Sequence, residues 1–182
     1  MNCILVRHGI AVEPDEWDGT EENRPLTEKG KRRVRQVAEG LAALDCKPTH
    51  LFTSPFVRAY DTARLLRAVV CPTLKIEIRE ELVVGAKPER LIGLFRALPS
   101  DAVVVCVGHE PQLGEAVSLL LCGQALPNFP LKKAGAALVE SEGIINQGDH
   151  GSSAPASLRA RQESQAGKSN CTETGPAGEA RC

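Results

Sequence analysis

Three short segments of the sequence together contain arginine and histidine residues that could bind and transfer a phosphoryl group. They are Arg7-His8-Gly9, Ser54-Pro55-Phe56-Val57-Arg58 and Gly108-His109-Glu110-Pro111. Arginine pairs with phosphate oxygens through two parallel hydrogen bonds. A neutral imidazole is a nucleophile near neutral pH, since its reference pKa is about 6.5. Two arginines and two histidines brought to one point would therefore form a phosphoryl pocket.

Each of these segments directly follows a stretch that is predicted to be a β-strand. The stretches are 2–6, 50–53 and 102–107, the last a continuous run typical of a strand buried on both faces. In open α/β sheets, ligands bind outside the carboxyl ends of the strands. We therefore expect the three segments to meet at one edge of a sheet, where helix N-termini add partial positive charge.

The remaining pattern alternates strands and helices as far as residue 140. Apolar periodicity, caps and prolines predict helices that begin at Thr27, at Ser54-Pro55, at Pro88 and at Pro111, an edge strand over 74–78 and a further strand over 135–139. Such alternation indicates right-handed crossovers and a parallel sheet covered on both faces. The predicted fold class is α/β: one domain, residues 1–140, forming a three-layer α/β/α sandwich with a mainly parallel central sheet.

The segment 141–182 breaks this pattern. It contains few large apolar residues and no aromatic residue, and Gly, Ser and Ala dominate it. Such a composition buries too little surface to offset the entropy lost on ordering. We predict a low-complexity, disordered C-terminal tail.

Composition and charge exclude several classes of function. The net charge of -1 removes the general attraction to nucleic acid or anionic lipid, and the apolar runs are too short to span a bilayer. Arg7 and His8 interrupt the first apolar run, so it does not read as a signal peptide. The seven cysteines are odd in number and form no CxxC pair, which favours a reducing, cytoplasmic location over a disulfide scaffold or a zinc site.

Four motifs in order give the sequence a specific resemblance. Arg7-His8-Gly9, the segment RPLTEKG at 24–30, the segment SPFVRA at 54–59 followed by Thr62-Ala63, and Gly108-His109-Glu110-Pro111 resemble the SixA-type phosphohistidine phosphatases. These belong to the histidine phosphatase (phosphoglycerate mutase-like) superfamily. The resemblance covers about residues 1–139 and implies the phosphoglycerate mutase-like form of the α/β sandwich.

The resemblance also implies a role for each pocket residue. His8 is expected to be the nucleophile that is phosphorylated transiently, with its ring oriented by a backbone carbonyl that Gly9 can bring close. Arg7, Arg58 and His109 are expected to hold the phosphoryl oxygens as the group passes in line. We expect no cofactor and no metal, because the cationic side chains take the place of a metal ion.

The resemblance leaves open the roles of two glutamates and one arginine. In the wider superfamily a Glu four residues before a Gly protonates the leaving group, a spacing matched by Glu81 and Gly85, with Glu80 as the alternative register. A departing imidazole is a better leaving group than an alkoxide, so a phosphohistidine substrate needs this proton less. Arg24 either contributes to phosphate binding or only solvates its loop.

The function implied is that of a phosphohistidine phosphatase acting on a signalling or phosphotransfer protein, such as a histidine phosphotransfer domain or a phosphocarrier. The short connection between Arg58 and His109 leaves no room for a large lid domain, which favours a protein substrate. We expect the protein to be a monomer. One alternative is a small-molecule phosphomonoester phosphatase or mutase of the same superfamily, which Glu81 would favour. Another is a non-catalytic phosphohistidine-binding adaptor.

Three features outside the motifs are open at the sequence level. The acidic stretch 13–22 is either a solvated loop or a surface that repels acidic partners, and Trp17 within it either anchors the loop or contacts a substrate protein. SixA-like chains usually continue after the strand at 135–139 with a strand rich in Trp and Leu, which is replaced here. A shifted reading frame near codon 140 would explain the change, and the other frames of the DNA test it.

Overall fold

The computed structural model describes residues 1–127 and 129–140, together with the backbone of 159–163. The strands are β1 Asn2–Arg7, β2 His50–Thr53, β3 Ile76–Ile78, β4 Val103–Gly108, β5 Ala136–Glu140 and β6 Arg159–Glu163; the helices are α1 Glu28–Ala43, α2 Val57–Val70, α3 Pro88–Arg96 and α4 Gln112–Cys122. Short 3₁₀ turns lie at Pro14–Glu16, Glu21–Asn23 and Glu80–Leu82.

The sheet has the strand order β3-β2-β4-β1-β5-β6. β4 pairs in parallel with β1 on one side and with β2 on the other, which matches its continuous apolar sequence. β3 lies at the edge, as its alternating pattern predicts, and Ile78 on it is 55% exposed. β5 and β6 are antiparallel additions at the opposite side. The predicted α/β class with a mainly parallel sheet is confirmed.

Helices cover both faces of the sheet, which gives the three predicted layers. In β1, the side chains of Cys3 and Leu5 join the core beneath α3 and α4, whereas Ile4 and Val6 join the core beneath α1 and α2. This alternation follows from the two-residue period of a strand. Burial on both faces fixes the register of β1, and hence the height at which the next residues leave the sheet.

The start of α1 is packed directly against the chain that leaves β1. The hydroxyl of Thr27 caps the helix by accepting a hydrogen bond from the backbone N–H of Gly30 at 3.0 Å. A Cβ on Gly30 would collide with the backbone carbonyl of Ile10. The Thr and Gly of the RPLTEKG segment thus allow a helix to press against the backbone just beyond His8.

The start of α2 differs from the prediction. The sequence suggests an N-cap at Ser54 with Pro55 at the first helical position, but the helix begins at Val57, after Phe56. The Ser54 hydroxyl instead lies 2.9 Å from the Nε2 atom of His109. The same hydroxyl accepts a hydrogen bond from the Phe56 N–H at 3.4 Å, ahead of the helix. The prediction of the cap is wrong because the helix begins three residues after Ser54, at Val57, and has no side-chain cap.

Strand β6 lies in the part of the chain for which sequence analysis predicts disorder. Its five residues pair antiparallel with β5, from Ala136 opposite Glu163 to Glu140 opposite Arg159. An unpaired edge of β5 offers a row of free N–H and C=O groups, which a following segment can satisfy even without apolar side chains. The predictions for 141–158 and 164–182, including the frame-shift hypothesis, concern residues outside those described. No helix among the described residues is long and apolar enough to cross a membrane.

Candidate active site

The carboxyl ends of β1, β2 and β4 bring His8, Arg58 and His109 together. The Nε atom of Arg58 donates to Nε2 of His8 at 3.3 Å, and the ring centroids of the two histidines lie 5.0 Å apart. Their exposed fractions are 7% for His8 and 3% for both Arg58 and His109. The convergence expected from the strand-end positions is therefore present, although the three residues are widely separated in sequence.

The imidazole of His8 has one ring nitrogen tied to the backbone. Its Nδ1 lies 2.7 Å from the carbonyl oxygen of Gly9, which can only accept, so Nδ1 carries the proton. Nε2 is then left with its lone pair and faces Arg58. The Gly9 N–H donates to the Thr62 hydroxyl at 3.0 Å, and that hydroxyl donates to the Arg58 carbonyl oxygen at 2.7 Å. Thr62 thus joins the backbone that orients the imidazole to helix α2.

Both histidines of the pocket are held in the neutral form. Burial lowers the pKa of His8 to about 4; the Gly9 hydrogen bond opposes this shift, whereas the charges of Arg58 and Arg7 add to it. Burial, followed by the proximity of His8 and Arg58, lowers the pKa of His109 to about 3. Neutral His8 has the unprotonated Nε2 that an attacking nitrogen needs at pH 7.

Arg7 lies beside His8 with part of its guanidinium unsatisfied. Nη1 donates to the Leu131 carbonyl oxygen at 2.8 Å, while the buried Nε finds no hydrogen-bond partner within the described part of the chain. The Leu131 N–H in turn donates to Glu110 Oε1 at 3.2 Å. Burial raises the pKa of this Glu110 carboxyl. Arg7 is therefore fixed from behind and keeps an N–H that an anion could satisfy.

Glu21, on the 3₁₀ turn of the acidic stretch, contacts two arginines of the site. Arg58 donates from Nη1 to the Glu21 carbonyl oxygen at 2.8 Å and from Nη2 to Oε1 at 2.9 Å. Arg24 donates to both carboxylate oxygens and, from Nη1, to the Val12 carbonyl oxygen. The hydrogen bonds from Arg24 lower the pKa of the Glu21 carboxyl. Sequence reasoning missed Glu21, although its spacing of three residues from Arg24 was a usable signal.

Phe56 supplies an apolar wall to the same pocket. Its ring meets His109 edge-on with centroids 5.2 Å apart, and the Arg58 guanidinium carbon lies 4.8 Å from its centroid. Stacking on a ring leaves the in-plane N–H groups of an arginine free to donate. The wall also contributes to the burial of His109, and burial is the main cause of its lowered pKa.

Trp17 packs within its own loop. Its indole N–H donates to the Thr20 carbonyl oxygen at 2.9 Å, and a Cβ on Gly19 would touch its ring. These contacts favour the interpretation of Trp17 as a loop anchor.

Glu81 lies beside the pocket but is held there only through its backbone. Its carbonyl oxygen accepts from Gln112 Nε2 at 2.6 Å, and the turn is joined to the sheet where the Arg79 N–H donates to the Thr53 carbonyl oxygen at 2.9 Å. Within the described residues, the Glu81 carboxylate makes no hydrogen bond or ion pair with the pocket, and Glu80 is exposed. In the same part of the chain, no group of three or more His, Cys, Asp or Glu side chains could hold a metal ion.

Comparisons with known proteins agree with this geometry. The sequence profile of the histidine phosphatase superfamily (branch 1) matches residues 3–83. An uncharacterized protein of Picosynechococcus is 35% identical over 143 residues, covering 74% of this chain and 82% of that relative. The phosphohistidine phosphatase SixA of Escherichia coli is 25% identical over 145 residues, covering 79% and 88%.

Solved structures show the same fold. A structure of the protein histidine phosphatase SixA complexed with tungstate superposes with a TM-score of 0.71 at 24% identity, covering 80% of this chain and 92% of that one. A mycobacterial glucosyl-3-phosphoglycerate phosphatase has a TM-score of 0.64 at 16% identity, covering 90% and 98%. The strand-end histidines and arginines, the sequence profile and the shared fold together show that this chain belongs to the histidine phosphatase superfamily and is a SixA-like phosphatase in its architecture.

Proposed function

We propose that the protein is a phosphohistidine phosphatase that acts on a phosphohistidine carried by a signalling or phosphotransfer protein. The observation that carries the proposal is the state of His8: Nδ1 is tied to the Gly9 carbonyl and Nε2 is unprotonated beside Arg58. The similarity to SixA proteins supports the choice of a phosphohistidine substrate.

The reaction divides into two transfers at Nε2 of His8. In the first, Nε2 attacks phosphorus, an N–P bond forms, and the P–N bond to the substrate imidazole breaks. The substrate imidazole keeps the electron pair and leaves neutral when its other nitrogen carries a proton. In the second, water attacks phospho-His8 and gives inorganic phosphate and free His8. Arg7 and Arg58 stabilise the charge on the phosphoryl oxygens. His109 donates a hydrogen bond to these oxygens from a ring N–H.

The first transfer is close to symmetric, because an imidazole nitrogen is exchanged for another. Its driving force is therefore small, and the step makes little demand on a general acid. This agrees with Glu81, whose carboxylate makes no hydrogen bond or ion pair with the pocket within the described residues. No cofactor enters these steps, and we expect full activity in the presence of a chelator.

The connection between the two halves of the pocket supports a macromolecular substrate. Between Arg58 and His109 the chain forms only the rest of α2, β3, a 3₁₀ turn, α3 and β4. This range is described without a gap and contains no inserted lid domain. A site with no domain inserted over this range suits a side chain that another protein presents, whereas a small molecule gains affinity from being enclosed.

A second candidate is a phosphatase of small phosphate esters. The observation that favours it is the fold shared with the glucosyl-3-phosphoglycerate phosphatase, together with the placement of the Glu81 turn against Gln112. An ester needs its alkoxide protonated, and the Glu81 side chain is the acid that this second candidate would use. The ratio of kcat/KM for a phosphohistidine protein to that for sugar and nucleotide monophosphates separates the two candidates.

The decisive experiment is to trap phospho-His8. Incubation with a phosphohistidine carrier protein, followed by rapid denaturation, should yield an acid-labile, base-stable phosphoryl group on the peptide that contains His8. His8→Ala should abolish both the trapped group and phosphate release, whereas His50→Ala, a change on β2 away from the pocket, should retain both. Binding of the phosphorylated carrier without hydrolysis by the unaltered chain would overturn the proposal and identify an adaptor.

A further inference from the structure

One edge of the Arg58 guanidinium is fully occupied in the free protein. Nε–H donates to His8 Nε2 at 3.3 Å, and Nη2 donates to Glu21 Oε1 at 2.9 Å. These N–H groups point in parallel from the same side of the planar group, which is a geometry suited to binding two oxygens of one phosphoryl group. Half of this edge is therefore covered by a carboxylate oxygen and the other half by the nucleophile.

The same carboxylate also takes the donors of Arg24. Nε of Arg24 donates to Oε2 of Glu21 at 2.8 Å, and Nη2 donates to Oε1 at 2.7 Å. The side chain of Arg24 is 11% exposed, whereas that of Glu21 is 49% exposed. Glu21 thus sits at the mouth of the pocket and neutralises two arginines whose charge would otherwise attract an anion.

We infer that the Glu21 carboxylate is an intramolecular competitor of the phosphoryl group for Arg58 and Arg24, and that it sets how weakly the pocket holds phosphate. The inference rests on the proposed function only in that the pocket receives a phosphoryl group. An arriving phosphoryl group takes Nη2–H from Glu21 and Nε–H from His8. The second exchange frees the lone pair of the nucleophile at the moment when its target arrives.

The exchange affects the release of inorganic phosphate and the choice of substrate. When inorganic phosphate leaves, the carboxylate returns to the donors, so product release does not leave two unpaired guanidinium groups. A carboxylate that stays near the bound phosphoryl group also repels further negative charge on the substrate. The pocket therefore disfavours phosphate esters that carry a second anionic group and favours a phosphoryl group on a neutral carrier, such as the imidazole of a protein.

The test is calorimetric titration of the full chain with inorganic phosphate. Glu21→Gln keeps the shape of the side chain and removes its charge. We expect it to bind phosphate about tenfold more tightly, because an amide oxygen holds the two guanidinium groups less strongly than a carboxylate does. Glu21→Ala should tighten binding at least as much. The matched control is Glu22→Gln, which removes a charge from the next residue. The Glu22 carboxylate affects the pKa of Arg58 through its charge, whereas Glu21 also accepts a hydrogen bond from Arg58. We expect less than a twofold change in that variant.

A kinetic readout separates competition from a structural role. Competition predicts that KM for the phosphohistidine protein falls in parallel with the dissociation constant of phosphate in Glu21→Gln, with a smaller change in kcat. Unchanged or weaker phosphate binding in that variant, or equal tightening in Glu22→Gln, would overturn the inference. Calorimetry requires no turnover, so failure to hydrolyse phosphohistidine would refute the proposed function and still leave this test readable.

Discussion

The side of the pocket that holds the phosphoryl group and the side that faces its leaving group are built differently. The first side is buried and held together by hydrogen bonds: His8 bonds to Gly9, Gly9 to Thr62, and Arg58 to His8. The second side is the 3₁₀ turn around Glu81, where the backbone is held by Gln112 and the carboxylate is left unbound within the described residues. The difference separates chemistry that every phosphoryl transfer shares from chemistry that depends on the substrate.

This division has a physical cause. Charge on the transferring group is stabilised only by donors that are already in place, since reorganising them during the reaction would cost the energy they supply. Strand ends provide that rigidity, because each strand is fixed by its neighbours and by both cores. A proton donor is needed only for some leaving groups, so a carboxylate carried on a short turn suffices.

The largest expected effect tests the rigid side. Arg58→Lys should lower kcat/KM for every phosphoryl substrate by about 10²–10³, because a point charge cannot replace a planar edge with two parallel N–H groups for the phosphoryl oxygens. The measurement is steady-state kinetics on a phosphohistidine protein and on a phosphate ester. Arg64→Lys, on the exposed side of α2 where Arg64 pairs with Asp61, is the control and should keep full activity. Equal losses in the two variants would show that the effect does not depend on the position of Arg58 in the pocket.

The next effect tests the leaving-group side. Glu81→Gln should lower kcat for a phosphate ester by about 10², the contribution of a general acid, and should leave the phosphohistidine reaction within a few-fold. Glu80→Gln serves as the control for register and should change neither substrate. If both substrates lost activity equally in Glu81→Gln, the two sides of the pocket would not be chemically separate. A loss confined to Glu80→Gln would move the acid to the neighbouring residue.

The third effect concerns the protonation of the nucleophile. With the pKa of His8 lowered to about 4, most of the imidazole is neutral at pH 5, whereas an unshifted histidine would be almost fully protonated. The neutral fraction at pH 5 should exceed that of a model histidine by about 30-fold. NMR titration of the imidazole nitrogens measures it directly, and a midpoint near 6.5 for His8 would contradict the burial argument.

The same shift should make the protein less stable in acid. Because the folded pKa values of His8 and His109 lie below the unfolded value, the unfolded chain binds more protons below pH 6.5. The free energy of unfolding should be fully present above pH 6.5 and should fall on the order of 1–2 kcal/mol per histidine between pH 7 and 5. Urea denaturation at the two pH values tests this, and His8→Gln should show a smaller loss than the unaltered chain.

Much of this arrangement could be predicted from the sequence. The buried strand at 102–107 and the edge strand at 74–78 were identifiable because burial on two faces or on one leaves different patterns of apolar residues. The convergence of His8, Arg58 and His109 followed from their positions after strands of one parallel sheet. Each of these inferences depends on local pattern and on the topology that short connections allow.

What escaped prediction depends on contacts between distant residues. Ser54 reads as a helix cap, but its hydroxyl lies against His109. Glu21 reads as one more charge in a solvated loop, but it meets Arg58, 37 residues later in the sequence. Strand β6 has no apolar pattern and exists through backbone pairing with β5. Side-chain partners and edge pairing are set by three-dimensional proximity, which periodicity does not encode.

The last comparison is between a tightly packed glycine behind the nucleophile and a glycine with open space around it in helix α3. Gly30→Ala places a methyl group against the Ile10 carbonyl and should lower the free energy of unfolding by about 1–3 kcal/mol, with a matching loss of activity as the backbone at Gly9 shifts. Gly93→Ala, in helix α3 beyond the Glu81 turn, has open space around its Cβ and should raise stability by about 0.5–1 kcal/mol. Denaturant titration of both variants gives the two signs. If both were stabilising, the backbone beneath the nucleophile would have room to move, and the tight hydrogen bonding of His8 would need another origin than close packing.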